Sequence, residues 1–213
     1  MALIDKPLEL ITEQDLLDLI SNQVREDKRI EFKVVLPSNS DKDKKEFLAD
    51  VSSFANASGG DLIFGIEAQN GIPSKLVGLP PLSLDGDILR LENILRDGLD
   101  PRIPNVKFWP IKLMSRMALV IRVPRSWMPP HRVKYGGSSR FYARNSAGKY
   151  ELEVSEMRPL FALTTSAVEQ IRNFRVERLS KITSGELTVP LKRATSIGSS
   201  RGPFQRFRSI ESI

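Results

Sequence analysis

The sequence predicts an α+β domain: a mixed sheet with flanking helices, followed by a C-terminal helix and an irregular basic tail. Three observations predict it. Segments with alternating apolar and polar residues are interspersed with segments of helical period, with no internal repeat. Apolar residues make up 40 % and charged residues 27 % of the 213, a composition that can bury a core. Periodicity is lost after about residue 186, where Ser, Arg and Gly accumulate.

The elements follow in order. Residues 12–23 read as a helix that Thr12 can cap, with Leu16, Leu17, Leu19 and Ile20 as its apolar stripe. Residues 29–35 alternate as a half-buried strand, with Ile30, Phe32 and Val34 on one face and Glu31 and Lys33 on the other. A second helix runs from Asp41 to Ala57 on Phe47, Val51 and Phe54 and stops at Ser58-Gly59-Gly60. Residues 61–67 form a strand with Leu62, Phe64 and Ile66 on one face and Asp61, Ile63, Gly65 and Glu67 on the other, and Asn70-Gly71 turns the chain. A third helix over 85–99 precedes strands at 106–113 and 117–123, the first placed at a sheet edge by Pro110. After a Pro-rich loop, Trp127 to Arg132, strands at 140–144 and 149–152 lead into helices over 155–163 and 165–183. The expected organisation is a domain over 1–163, a helical extension over 164–185 and a disordered basic tail over 186–213.

Several function classes drop out. With no Cys there is no disulfide scaffold, Cys-ligated metal or thiol nucleophile, and the single His131 leaves no HExxH or multi-His site. Neither phosphate-loop glycine pattern occurs, so the chain does not read as an ATPase, and Gly59-Gly60 needs only the helix stop. No apolar run is long enough for a membrane span and the N-terminus has no signal pattern, so the expectation is a cytoplasmic protein with no membrane partner. His131 reads as a loop residue rather than a general base, since nothing near it in sequence orients it.

Charge is distributed unevenly. Residues 1–100 carry a net −8, residues 101–163 a net +9 and the remainder +5. A basic second half suggests a footprint for a polyanion. Its candidate residues are Arg122, Arg125, Arg132, Lys134, Arg140, Tyr142 and Arg144. Arg and Lys would contact phosphates and Tyr or Trp would stack on unpaired bases, although Trp127 also fits a packing role. In the acidic half, neighbouring strands would bring Glu31, Lys33, Asp61 and Glu67 to one surface, with Glu26 reaching over from the preceding turn. Such carboxylates suit Mg²⁺ or Mn²⁺, and Lys33 would stabilise developing negative charge.

Three strings carry a family resemblance: Glu26-x4-Glu31-Phe32-Lys33, Phe54-Ala55-Asn56-Ala57-Ser58-Gly59-Gly60, and Phe141-Tyr142-Ala143-Arg144-Asn145. With them, residues 12–163 resemble the Schlafen-type AlbA-like domain. The resemblance implies a DNA-binding or transcription-related module, the usual description in bacteria. In animal Schlafen proteins a pair of such domains forms a nuclease core that cuts transfer and ribosomal RNA with three acidic residues. Carried over, the acids fall on Glu26, Glu31 and Glu67, as catalytic and metal-binding residues together with Lys33. Ala68 stands where the family often has a second acid, and the animal zinc site is absent. A lone copy of a domain that elsewhere works in pairs suggests a homodimer. The favoured function is nucleic-acid binding, to DNA or RNA. The alternatives are a metal-dependent endoribonuclease acting on structured RNA such as tRNA, and a dimeric interaction module without nucleic-acid affinity.

Overall fold

Helix formation begins where the local chemistry favours it. Thr12 donates from its backbone N and its hydroxyl to the Asp15 carboxylate (2.7 and 2.8 Å), which opens α1 (Glu13–Ser21). The Ser40 hydroxyl accepts from Asp43 N at 3.1 Å and opens a longer helix (Asp41–Asn56). In this computed structural model, which describes residues 3–80 and 84–184, two short 3₁₀ turns precede α1 (Leu3–Asp5 and Leu8–Leu10). The order then runs β1 (Ile30–Lys33), α2 (Asp41–Asn56), β2 (Gly60–Phe64), β3 (Ile66–Gln69), β4 (Ile72–Leu76) and α3 (Leu84–Gly98). It continues with β5 (Leu99–Asp100), β6 (Lys107–Lys112), β7 (Met117–Val123), β8 (Arg132–Tyr135), β9 (Ser138–Asn145), β10 (Gly148–Glu151) and α4 (Val154–Thr183). The tail expected over 186–213 lies outside the described residues.

One sheet has the order β1-β2-β7-β6, with β1 and β2 parallel and the other pairs antiparallel; a second, antiparallel throughout, has the order β10-β9-β8-β5. β3 and β4 form a separate hairpin. Pro110 sits on edge strand β6, where a missing N–H costs no ladder bond. The first sheet is covered on both faces. Leu62, Phe64, Leu119 and Ile121 pack with α2 and α3 side chains in one core, while Ile30, Phe32, Ile63 and Val120 pack with Leu16 and Leu19 of α1 in the other.

Three expectations change. The strand expected over 61–67 is two strands, because Gly65 takes a φ of +99°, where a side chain would be strained, and breaks the alternation. Ile66 consequently joins Ile63 rather than Leu62 and Phe64. Asp61 does not share a surface with Glu31: register pairs it with Ile30, on the opposite face. The two helices expected at the C-terminus are one, α4, with Pro159 inside its first turns.

The chain divides into two units, Met1–Val168 and Glu169–Ile213. In the first, Phe161 of α4 meets Phe141 of β9 edge-on at 5.8 Å between ring centroids. In the second, Lys181 pairs with Glu177 one turn away, and Ile171, Phe174 and Ile182 are exposed. None of the described helices is long and apolar enough to cross a membrane.

Candidate functional site

The Phe54–Gly60 string builds the site's frame. Asn56 donates from Nδ2 to the carbonyls of His131 (3.0 Å) and Tyr142 (2.8 Å), and its Oδ1 accepts from His131 N (2.7 Å). One amide thereby ties the end of α2 to β8 and β9. Gly60 is required by close approach, since a Cβ there would lie 2.3 Å from the Phe54 ring.

Antiparallel register pairs Arg140 with Val133 and Lys149 with Arg144, so residues 140, 142, 144 and 149 share the face turned to α2. The Arg144 guanidinium lies over the Phe54 ring, 3.9 Å from its centroid, with its side chain only 2 % exposed. It reaches Glu31 at 2.7 Å and the Ser53 hydroxyl at 3.5 Å. The other Glu31 oxygen binds Lys33 Nζ at 2.8 Å. Lys33 continues to Asp50 (3.4 Å) and Glu46 (3.6 Å), and Lys149 binds both Asp50 (2.6 Å) and Glu46. Three carboxylates and three cations thus alternate in one cluster between β1, α2, β9 and β10.

The fields differ along the cluster. Burial opposes ionisation of Glu31, but the adjacent charges of Arg144 and Lys33 outweigh it and hold its pKa below the usual value. Asp50 goes the other way: burial, then repulsion from Glu31, pushes it up to about 6 against the pull of Lys149 and Lys33. Lys33 is raised, since Asp50 and Glu31 together overcome its desolvation.

A cavity of about 380 Å³ adjoins the cluster, lined among others by Arg25, Glu26, Glu31, Arg144, Lys149 and the 146–148 turn. Glu26 is oriented toward β1 by a bond from Phe32 N to its Oε1 (2.8 Å). The structure therefore brings Glu26 and Glu31 to one cavity. Glu67 is not among its lining residues; it sits on β3 opposite Lys75, at a bulge. No group of three or more His, Cys, Asp or Glu side chains is placed so that it could hold one metal ion among the described residues. The donor set also does not fit a divalent cation: both Glu31 oxygens are committed to fixed positive charges that a metal would have to displace.

The basic residues fall into two kinds. Arg122 does not face outward: it makes a bidentate pair with Asp61 (2.7 and 2.8 Å) and donates to the carbonyls of Lys6 and Leu3. Arg144 is likewise internal, and Tyr142 packs half-buried against the core. Arg132 pairs with Asp100 at 2.6 Å and Arg140 with Glu151, from opposite faces of the second sheet. Arg125 and Lys134 are exposed with no carboxylate at ion-pairing distance among the described residues. Among the described residues these arginines do not line one groove, because Arg122 and Arg144 are taken up inside the fold and Arg132 and Arg140 lie on opposite faces of the second sheet.

Glu46, Asp50, Ser53 and Lys149 do not stand out in the sequence as site residues. Their signal was present: 46, 50 and 53 recur at helical spacing in α2, whose residues 47–56 are all buried. A polar side chain on such a helix must find a partner.

A family model described as Schlafen, AlbA_2 matches residues 26–153, from the turn before β1 to just past β10. No curated protein matches the chain. Among solved structures, the DIP2311 protein from Corynebacterium diphtheriae is similar at 18 % identity and a TM-score of 0.46, over 69 % of this chain and 28 % of that one. The N-terminal domain of a protein described as related to the ATP-dependent DNA helicase RecG, from Nitrosomonas europaea, is similar at 24 % identity and a TM-score of 0.46, over 64 % of this chain and 89 % of that one.

Proposed function

The chain belongs to the Schlafen AlbA_2 family, and on that premise we propose that it binds nucleic acid through cations that the fold leaves uncompensated, not through its buried ion-pair cluster. One observation carries the reading. Lys44 and Lys45 of α2 meet the β8–β9 turn: Lys45 Nζ donates to Gly136 O (3.3 Å), Lys44 lies over the Tyr135 ring, and Tyr135 donates to Asp41, while Lys42 precedes Lys45 by one helical turn and Lys134 adjoins Tyr135 in sequence on the other face of β8. None of the four lysines has a carboxylate at ion-pairing distance among the described residues, and Asp41 and Asp43 offset only half their charge. Tyr135 is half-buried at this corner, packed against the core with Lys44 over its ring. Such a corner favours phosphate through counterion release, which depends on salt and not on sequence.

Titration of duplex DNA and of transfer RNA at 50 and 200 mM salt tests the proposal. Four neutralised phosphates weaken binding about a hundredfold across that range. The triple variant Lys42→Gln, Lys44→Gln, Lys45→Gln lowers the salt slope by about 2–3. Affinity indifferent to salt, or a slope unchanged by the triple variant, overturns it.

A further inference from the structure

We propose that Trp127 is a fixed stacking post for an unpaired nucleobase, so that the chain prefers single-stranded or looped nucleic acid to plain duplex; this rests on the nucleic-acid reading above. Trp127 is 89 % exposed. The other tryptophan, Trp109, is half-buried and donates from its indole N–H to Ile11 O, as a packing residue does. An indole left in water on an otherwise well-packed unit contributes nothing to the fold, and aromatic side chains of this size are the usual anchors of contact surfaces.

The loop that carries it is pinned from below. Ser126 N donates to Ala55 O (2.9 Å), and the Ser126 hydroxyl accepts from Met128 N (3.0 Å) while lying 2.6 Å from His131 Nε2. His131 is fully buried, with Nδ1 2.7 Å from Pro101 O, and burial lowers its pKa. The neutral ring then donates from Nδ1 to Pro101 O and accepts the Ser126 hydroxyl proton at Nε2. Gly59 closes the underside: with φ of +71°, its absent Cβ would lie 2.6 Å from Arg125 N. Residues on either side of Trp127 are therefore held by the buried end of α2 and by the His131 ring, while the indole itself projects outward. An aromatic group so preorganised loses little freedom on binding.

The surroundings favour a nucleotide as its occupant. Arg125, two residues away, is exposed and has no carboxylate at ion-pairing distance among the described residues, so a phosphate can take that place. Met128, 47 % exposed, adds apolar surface beside the indole. A base can lie on Trp127 only if its own π-face is free, which a continuous duplex denies and a single strand or loop allows.

The test uses the whole chain, an oligonucleotide of about 16 nucleotides and its fully complementary duplex. Subtracting the fluorescence of Trp127→Phe from that of the wild type isolates the emission of Trp127. That emission is expected to be quenched by the single strand and not by the duplex. Trp127→Ala should weaken single-strand affinity about 5- to 150-fold, leave duplex affinity unchanged, and be largely rescued by Trp127→Phe. Circular dichroism checks that the exposed substitutions leave the fold intact. If neither nucleic acid binds, the nucleic-acid reading itself fails. If both bind while the Trp127 emission and the Trp127→Ala affinity stay unchanged, the stacking post is wrong and the reading it rests on survives.

Discussion

Arg144→Met is the sharpest perturbation of the buried cluster. The wild-type guanidinium is 2 % exposed, bonded to Glu31 at 2.7 Å and stacked on Phe54. Methionine fills much of the same space over the ring but leaves three carboxylates to two ammonium groups. Breaking a buried pair by removing one partner costs about 3–5 kcal/mol, because the remaining charge stays desolvated. For a chain of this size that lowers Tm by about 6–20 °C. Glu31→Gln strands the opposite charge and also destabilises. The double variant removes both, so its loss should fall short of the summed single losses by about 1–3 kcal/mol in urea unfolding. The pH dependence has a defined sign. In the wild type the folded pKa of Glu31 is lowered, so its stabilisation is present above the unfolded value of 4.5 and is lost as pH falls through the folded value. Without Arg144, burial loses its main opponent, and the gap between wild type and variant should be widest at pH 7 and shrink toward pH 4.5. Additive single losses, or a gap equal at both pH values, would refute the reasoning.

Three further outcomes follow from the same geometry. Asp50 has a folded pKa raised to about 6, so its contribution is present below 3.8 and is lost as pH rises through about 6; Asp50→Asn should remove that slope from stability measured between those values. Asn56→Ala should cost about 2–4 kcal/mol in urea unfolding, since it orphans the buried His131 N–H and two carbonyls; a loss below about 1 kcal/mol would mean that the clip is dispensable. EDTA should leave nucleic-acid affinity unchanged in a gel-shift titration, because the carboxylates nearest the cavity are held by Lys33, Arg144 and a backbone N–H; a chelator-sensitive shift would contradict this.

The elements legible in the sequence were those with a strong local cause. α2 combines helical spacing, a Ser cap and a glycine stop, and its expected bounds differ from the observed ones by one residue. β6 is placed at an edge by Pro110 alone. β8, β4 and β5 escaped because each is only two to five residues long, too short for a local alternation to mark it. The misplacement of Asp61 has a deeper cause. Alternation assigns a residue to one of two faces, but only register says which residue of the neighbouring strand shares that face. On a sheet buried on both sides, a charged residue marks an internal partner rather than solvent, and for Asp61 that partner is Arg122.

The same argument revises what the charge asymmetry means. Arg122 pairs with Asp61, Arg144 with Glu31, Arg132 with Asp100, Lys149 with Glu46 and Asp50, and Lys107 with Glu9. Each pair joins a cation from beyond residue 100 to an acid from the first hundred. The −8 and the +9 read along the chain are therefore in part the two sides of ion pairs within the fold, drawn together when β1 and β2 join β7 and when β9 and β10 close on α2. Pairing removes equal amounts of either sign, so it leaves the total unchanged and moves the usable surplus onto residues without an opposite number. Among the described residues these include lysines at the start of α2, Lys134, and Arg125 beside Trp127. A footprint for a polyanion is consequently a property of the residues that pairing leaves over, and the most basic stretch of sequence is a poor guide to where it lies.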